Sequence, residues 1–128
     1  MNELTAEWIE KAEGDFNTAK RELRARKNPN FDAVCFHCQQ CAEKYLKAFL
    51  QNHDHAFPKI HDLPPLLRLC MTYDPLLEAL REALTILDKY SVRFRYPGFD
   101  ADKEEAKLAV KNVKSVREML RSRLDMTD

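Results

Sequence analysis

Residues 30–51 read NFDAVCFHCQQCAEKYLKAFLQ, and this stretch decides the fold. Its apolar positions are Phe31, Val34, Cys35, Cys38, Cys41, Ala42, Tyr45, Leu46 and Phe49. They recur at steps of three, one and three, the repeat of an α-helix with one broad buried face. Asn30 stands where an N-cap is needed, a role whose loss costs about 1 kcal/mol. The other side of the helix carries His37, Gln40, Glu43, Lys44 and Lys47 at helical spacing. Phe36 sits among them, about 160° from the centre of the apolar face at 100° per residue. A large aromatic on the polar side of its own helix calls for a second surface to cover it, and a homodimer interface at Phe36 is expected.

Outward from this helix the same reading gives four more. The first is expected over Thr5 to Arg26, with Leu4, Trp8, Ile9, Ala12, Phe16, Ala19 and Leu23 as its stripe. Its beginning is acidic and its end basic, which complements the helix dipole. Asn28-Pro29-Asn30 breaks the chain tightly, so helices one and two should be antiparallel neighbours. A short third helix should start at Asp62, its natural N-cap, with Leu63, Leu66, Leu67 and Cys70 inward. Asp74-Pro75 opens a fourth, with Leu76, Leu77, Leu80, Leu84, Leu87 and Tyr90 as its stripe. Pro97-Gly98 ends any helix there. A fifth should begin at Asp102, paired with Glu105 in a capping box. Its inner face is Ala106, Ala109, Val110, Val113, Val116, Leu120 and Leu124, and Lys107, Lys111, Lys114, Arg117 and Arg121 form an outer basic stripe read as solvated. The expected architecture is one all-α domain over residues 1–128: an antiparallel up-down four-helix core of helices one, two, four and five, with one additional short helix.

The bulk composition agrees. The chain has 128 residues, 45% hydrophobic and 33% charged, with only 2 glycines, which disfavours a sheet protein built on tight turns. Its 21 Lys and Arg balance its 21 Asp and Glu, which argues against diffuse nucleic-acid binding driven by net charge, though not against a local basic cleft. The opening MNELTAEWIEKAEGDF is acidic and amphipathic, unlike a signal peptide. No run reaches the roughly 20 apolar residues of a membrane span. A cytoplasmic, membrane-free protein with reduced cysteines is expected.

Three constellations bear on chemistry. Cys35, Cys38 and Cys41 have the spacing of a metal motif, but on one helix the outer two are about 9 Å apart in axial rise. A straight helix cannot bring both to one ion at bonding distance; they read as core-facing cysteines, and neither metal nor cofactor is expected. His37, Gln40 and Lys44 combine a group that titrates near neutrality with an amide and a cation. Arg93, Phe94, Arg95 and Tyr96 interleave forked cations with aromatics that can stack on a base. The candidate ligand-binding set is therefore His37, Gln40, Lys44, Arg93, Arg95 and Tyr96, with His37 as the candidate catalytic group. Neither a Gly-rich phosphate loop nor a nucleophile elbow is present.

The string Phe36-His37-x-Gln39-Gln40-x-x-Glu43-Lys44-x-Leu46-Lys47-Ala48, followed by His61-Asp62-Leu63-x-x-Leu66-Leu67 and by Arg95-Tyr96-Pro97, resembles the HEPN domain (higher eukaryotes and prokaryotes nucleotide-binding). Ala12-x-x-Asp15-x-x-x-Ala19 adds a weaker match in helix one. The resemblance implies a helical bundle, commonly a homodimer, that binds a nucleotide or RNA phosphate and pairs with a minimal nucleotidyltransferase in a toxin–antitoxin-like system. It also implies an alternative, since some members are metal-independent RNases built on an Arg-x(4 to 6)-His motif. This chain lacks that motif: Arg26 is the nearest arginine before either His37 or His61. An RNase here would need a non-standard site with His37 as base, and a purely structural or regulatory dimer is the third reading.

Overall fold

The computed structural model describes residues 1–57, 59–91, 96–98 and 100–126. All of its regular structure is helical: α1 (Glu3–Arg24), α2 (Phe31–Asn52), α3 (Leu63–Met71), α4 (Arg81–Asp88, entered through a 3₁₀ segment, Pro75–Leu80) and α5 (Lys103–Arg123). None of these helices is long and apolar enough to cross a membrane.

The caps explain where the helices begin. Asn30 accepts from Ala33 N–H at 3.0 Å, and Asp102 accepts from Glu105 N–H at 2.8 Å. Asp74 accepts from Leu76 N–H at 3.0 Å. Two starts differ from expectation. α1 begins two residues before Thr5, because Asn2 accepts from Thr5 N–H at 2.7 Å. α3 is not capped by the Asp62 side chain; Asp88, at the end of α4, accepts from Leu63 N–H at 2.8 Å. A carboxylate from another helix satisfies the orphan donor equally well, and no local pattern announces it.

α2 is the central helix and packs against α1, α3, α4 and α5. Asn2 meets Gln51, and Glu22 meets Asn30, so α1 and α2 run antiparallel. Lys89 meets Glu105 and Asp74 meets Arg123, so α4 and α5 are antiparallel as well. Asp32 accepts from Ala101 N–H at the start of α5, and Tyr45 meets Arg121 near its end. α2 and α5 are therefore the parallel diagonal of an up-down bundle. The faces that serve this diagonal carry cysteine, alanine and valine, whose small volumes suit a close approach of two helices. α3 rides outside, parallel to α2, returned by the 53–62 connection.

Most of the expected inward residues are buried, including Cys35, Cys38, Cys41 and Cys70. Two are corrected. Leu4 is 52% exposed while Thr5 is fully buried, because the helix enters the bundle one residue out of phase with the stripe. Leu76 is 69% exposed. At three residues per turn, the 3₁₀ segment aligns Leu77 with Leu80 on the core and turns Leu76 away.

The polar side of α2 is also not the solvated face that its own periodicity suggests. Gln39, Glu43 and Lys47 are all buried, because α1 and the 53–62 connection cover them. Arg117 and Arg121 likewise leave the solvated stripe of α5 and turn toward α1, with 16% and 11% of their side chains exposed.

Candidate functional site

Three charged networks surround α2 on its different faces. In the first, Asp15 of α1 stands between two residues of α2. Its Oδ1 lies 2.8 Å from His37 Nδ1, and its Oδ2 accepts from Lys44 Nζ at 2.5 Å. His37 and Lys44 are two helical turns apart and so share a face. A carboxylate only accepts, so Nδ1 is the protonated ring nitrogen. His37 Nε2 makes no hydrogen bond among the described residues, and the ring is 30% exposed. Phe36 packs edge-on to the His37 ring at 5.6 Å. The arrangement fixes an imidazole by one nitrogen and leaves the other without a hydrogen bond among the described residues.

In the second network Glu43 is the hub. It accepts from Lys47 Nζ at 3.0 Å and from Gln39 Nε2 at 3.2 Å, and lies 3.0 Å from His61 Nδ1. Gln39 in turn accepts from Gln40 Nε2 at 2.7 Å. The Lys47 ammonium also lies over the rings of Trp8 and Phe57, at 5.6 and 6.0 Å. These contacts pin the 53–62 connection to α2. A buried ion pair with its remaining donors and acceptors satisfied is the form in which such a pair is tolerated.

The third network joins α1 to α5. Arg117 makes a bidentate fork to Glu13, both bonds at 2.7 Å. The Tyr45 hydroxyl donates to the same carboxylate and accepts from Arg121 at 3.1 Å. Burial pushes the Glu13 carboxyl up, but the bonds from Arg117 and Tyr45 and the charges of Arg117 and Arg121 leave it below the usual range. Burial first, and the bond to Glu13 second, push the Tyr45 phenol well up. Lys20 and Arg117 both approach the Phe16 ring, at 4.5 and 4.6 Å from its centroid.

The structure thus divides the expected site. His37 and Lys44 stand together, joined through Asp15. Gln40 belongs to the Glu43 network. Tyr96 is exposed and shares no hydrogen bond or ring contact with His37, Gln40 or Lys44 among the described residues. Arg93 and Arg95 lie outside the described residues. Phe36 is partly buried, and the large apolar side chains that stand exposed are instead Met1, Leu4, Tyr73, Leu76, Tyr96 and Leu108.

The four cysteines are free thiols without access to solvent. Burial pushes Cys35 and Cys70 up to about 12, and Cys38 and Cys41 also well up. No group of three or more His, Cys, Asp or Glu among the described residues is arranged to hold a metal ion.

Asp15 and Glu13 are site members that the sequence pattern of α1 does not single out from its other acidic residues. The only signal for Asp15 was its place in the helix-one string with Ala12 and Ala19.

The model of the HEPN domain family matches residues 5–123. TT1696 from Thermus thermophilus has the same fold, with 22% identity and a TM-score of 0.73 over 92% of this chain and 96% of that one. An archaeal HEPN homologue, ST0689, is 23% identical, with a TM-score of 0.74 over 93% and 96% of the two chains. At these identities the likeness is one of fold. No curated protein matches the chain.

Proposed function

This chain belongs to the HEPN domain family, and we propose that it is a binding module for the phosphate of a nucleotide or RNA, working beside a minimal nucleotidyltransferase. The observation that carries the reading is the seat of His37. Asp15 holds Nδ1 and leaves Nε2, a directional donor when the ring is protonated, on a partly exposed rim beside the Lys44 ammonium. Asp15 also offsets the charge of that rim, so the pair alone is a weak anion site. Arg93 and Arg95 are the further cations that the reading requires, with Tyr96 as a stacking surface. Gln40 serves indirectly, through Gln39. The functional unit in this reading is a homodimer.

Calorimetric titration with nucleotides and a short RNA tests it, on the wild type and on Lys44→Ala, Arg93→Ala and Arg95→Ala. Each charge-assisted bond lost should weaken binding by roughly tenfold to a hundredfold. Lys107→Ala is the control, since that side chain is exposed beside Glu104 on α5. Equal losses in the control would mean diffuse electrostatics, and no binding by the wild type would sink the reading.

The Asp15–His37 pair also favours a second reading. A carboxylate that fixes Nδ1–H leaves Nε2 able to take a proton, the arrangement of an oriented general base. In a metal-independent RNase, Nε2 would accept the proton of a ribose 2′-hydroxyl as its oxygen attacks phosphorus and the 5′-oxygen leaves, with an arginine stabilising the pentavalent phosphate. Cleavage of a short RNA in the presence of a chelator, abolished by His37→Ala, would establish it.

A further inference from the structure

Helix α1 presents a line of residues that its own bundle does not use: Leu4, Glu7, Lys11 and Gly14. All four are exposed. They border two neighbouring surface hollows that share Glu7 and Lys11, an apolar one at Leu4 and Trp8 and a polar one at Gly14, Asp15 and Lys44. Their spacing is three, four and three, the seam of a helix prepared to pack against another helix.

Gly14 is the anomaly in that line. Glycine is unfavourable in a helix interior, and it is kept where something comes close to the backbone. Among the described residues nothing does, since a Cβ built on Gly14 would meet no atom beyond its own helix turn within 4 Å. Leu4 is the converse: a large apolar side chain, 52% exposed, that its own core leaves out.

We propose that α1 packs antiparallel on α1 of a second copy of this chain, with Leu4 of each seated over Gly14 of the other. In an antiparallel helix pair the two kinds of seam position face each other in layers. Bringing Leu4 opposite the partner's Gly14 places Glu7 opposite the partner's Lys11. The two-fold axis then repeats both pairs, giving two apolar knobs in two glycine hollows at the ends and two opposite-charge pairs between them. This register is self-complementary, as a two-fold interface requires. Moving it by one turn, to set Lys11 against Lys11, puts like charges together in the seam. The charge pattern therefore selects one register as well as the partner.

The inference rests on the homodimer reading and adds the face that makes the dimer. Phe36 is the competing seat for a second copy, because it lies on the polar side of α2.

Sedimentation across a concentration series tests the assembly with the full chain. Lys11→Glu should weaken association about tenfold, and the charge exchange Glu7→Lys with Lys11→Glu should restore it, because the pairs are re-formed in reverse. Gly14→Ala should weaken it while the fold is kept, as read by circular dichroism. Register is read by crosslinking. Leu4→Cys with Gly14→Cys should give a covalent dimer on mild oxidation, and neither single variant should. The natural cysteines are silent in that experiment because all four are buried. A wild type that stays monomeric at its highest soluble concentration overturns both the homodimer and this interface. A dimer that ignores the α1 variants, or that only Phe36→Asp dissociates, overturns this interface alone.

Discussion

Asp15 holds His37 and Lys44 at the same time, one carboxylate oxygen 2.8 Å from His37 Nδ1 and the other 2.5 Å from Lys44 Nζ. It orients the imidazole and competes for the lysine charge. Those two effects have opposite consequences in the two functional readings. Asp15→Asn removes the competing charge, so phosphate affinity should rise by up to about fivefold, given that a partly exposed pair is worth at most about 1 kcal/mol. If the chain is instead an RNase, the same substitution should lower its turnover without raising KM. Titration and cleavage assays on one preparation separate the two.

The Glu13 carboxylate anchors α1 to α5, and its loss should be felt as stability. Glu13→Gln should cost about 1.5–3 kcal/mol at neutral pH, since it replaces the acceptor of a charged fork by a neutral amide. The pH dependence has a definite sign. Glu13 titrates below its ordinary value in the fold, so its contribution is complete above the unfolded carboxylate range and is lost as pH falls through the folded value. Urea denaturation should show the gap between wild type and Glu13→Gln closing below about pH 4.

Breaking the buried Glu43–Lys47 pair on one side strands the other charge. Lys47→Met should therefore destabilise the protein by about 3–5 kcal/mol. Glu43→Met combined with Lys47→Met should recover much of that loss, because no charge remains buried. A double variant no better than the single one would mean that the bonds of Glu43 to Gln39 and to His61, which hold the 53–62 connection, matter more than the ion pair.

Gly14→Ala should raise the stability of the separated chain by about 1 kcal/mol, the difference between the two residues in a helix interior. The new methyl meets nothing within 4 Å among the described residues beyond its own helix turn. Denaturation at low protein concentration measures this effect apart from any association.

The four thiols should be unreactive toward a disulfide reagent at neutral pH in the folded protein and should all react on unfolding. Nucleophilic attack needs the thiolate, and burial holds Cys35 and Cys70 near 12 and the other two well above their ordinary value. Rapid reaction of even one thiol under native conditions would show that the α2 core opens locally.

The five helices follow from information carried within a few residues. The Asn30 and Asp102 caps and the apolar stripes of α2, α3 and α5 are local properties, and the structure keeps them at the positions their patterns indicate. The HEPN string of α2 is equally local, which is why the family is legible in the sequence. What lies opposite a helix is not. Periodicity gives the angle of a side chain about its own axis and carries no information about the element that docks on that side. Gln39, Glu43 and Lys47 pattern as a solvated face and are buried, because α2 is covered on more than one side. Asp15 finds His37 and Lys44 across 22 and 29 residues, and Glu13 finds Arg117 across 104. Charge pairs of that sequence separation are set by how the helices pack. Tertiary structure alone turned His37 toward a carboxylate, drew Gln40 into a different network, and left Leu4 and Gly14 on the outside of α1.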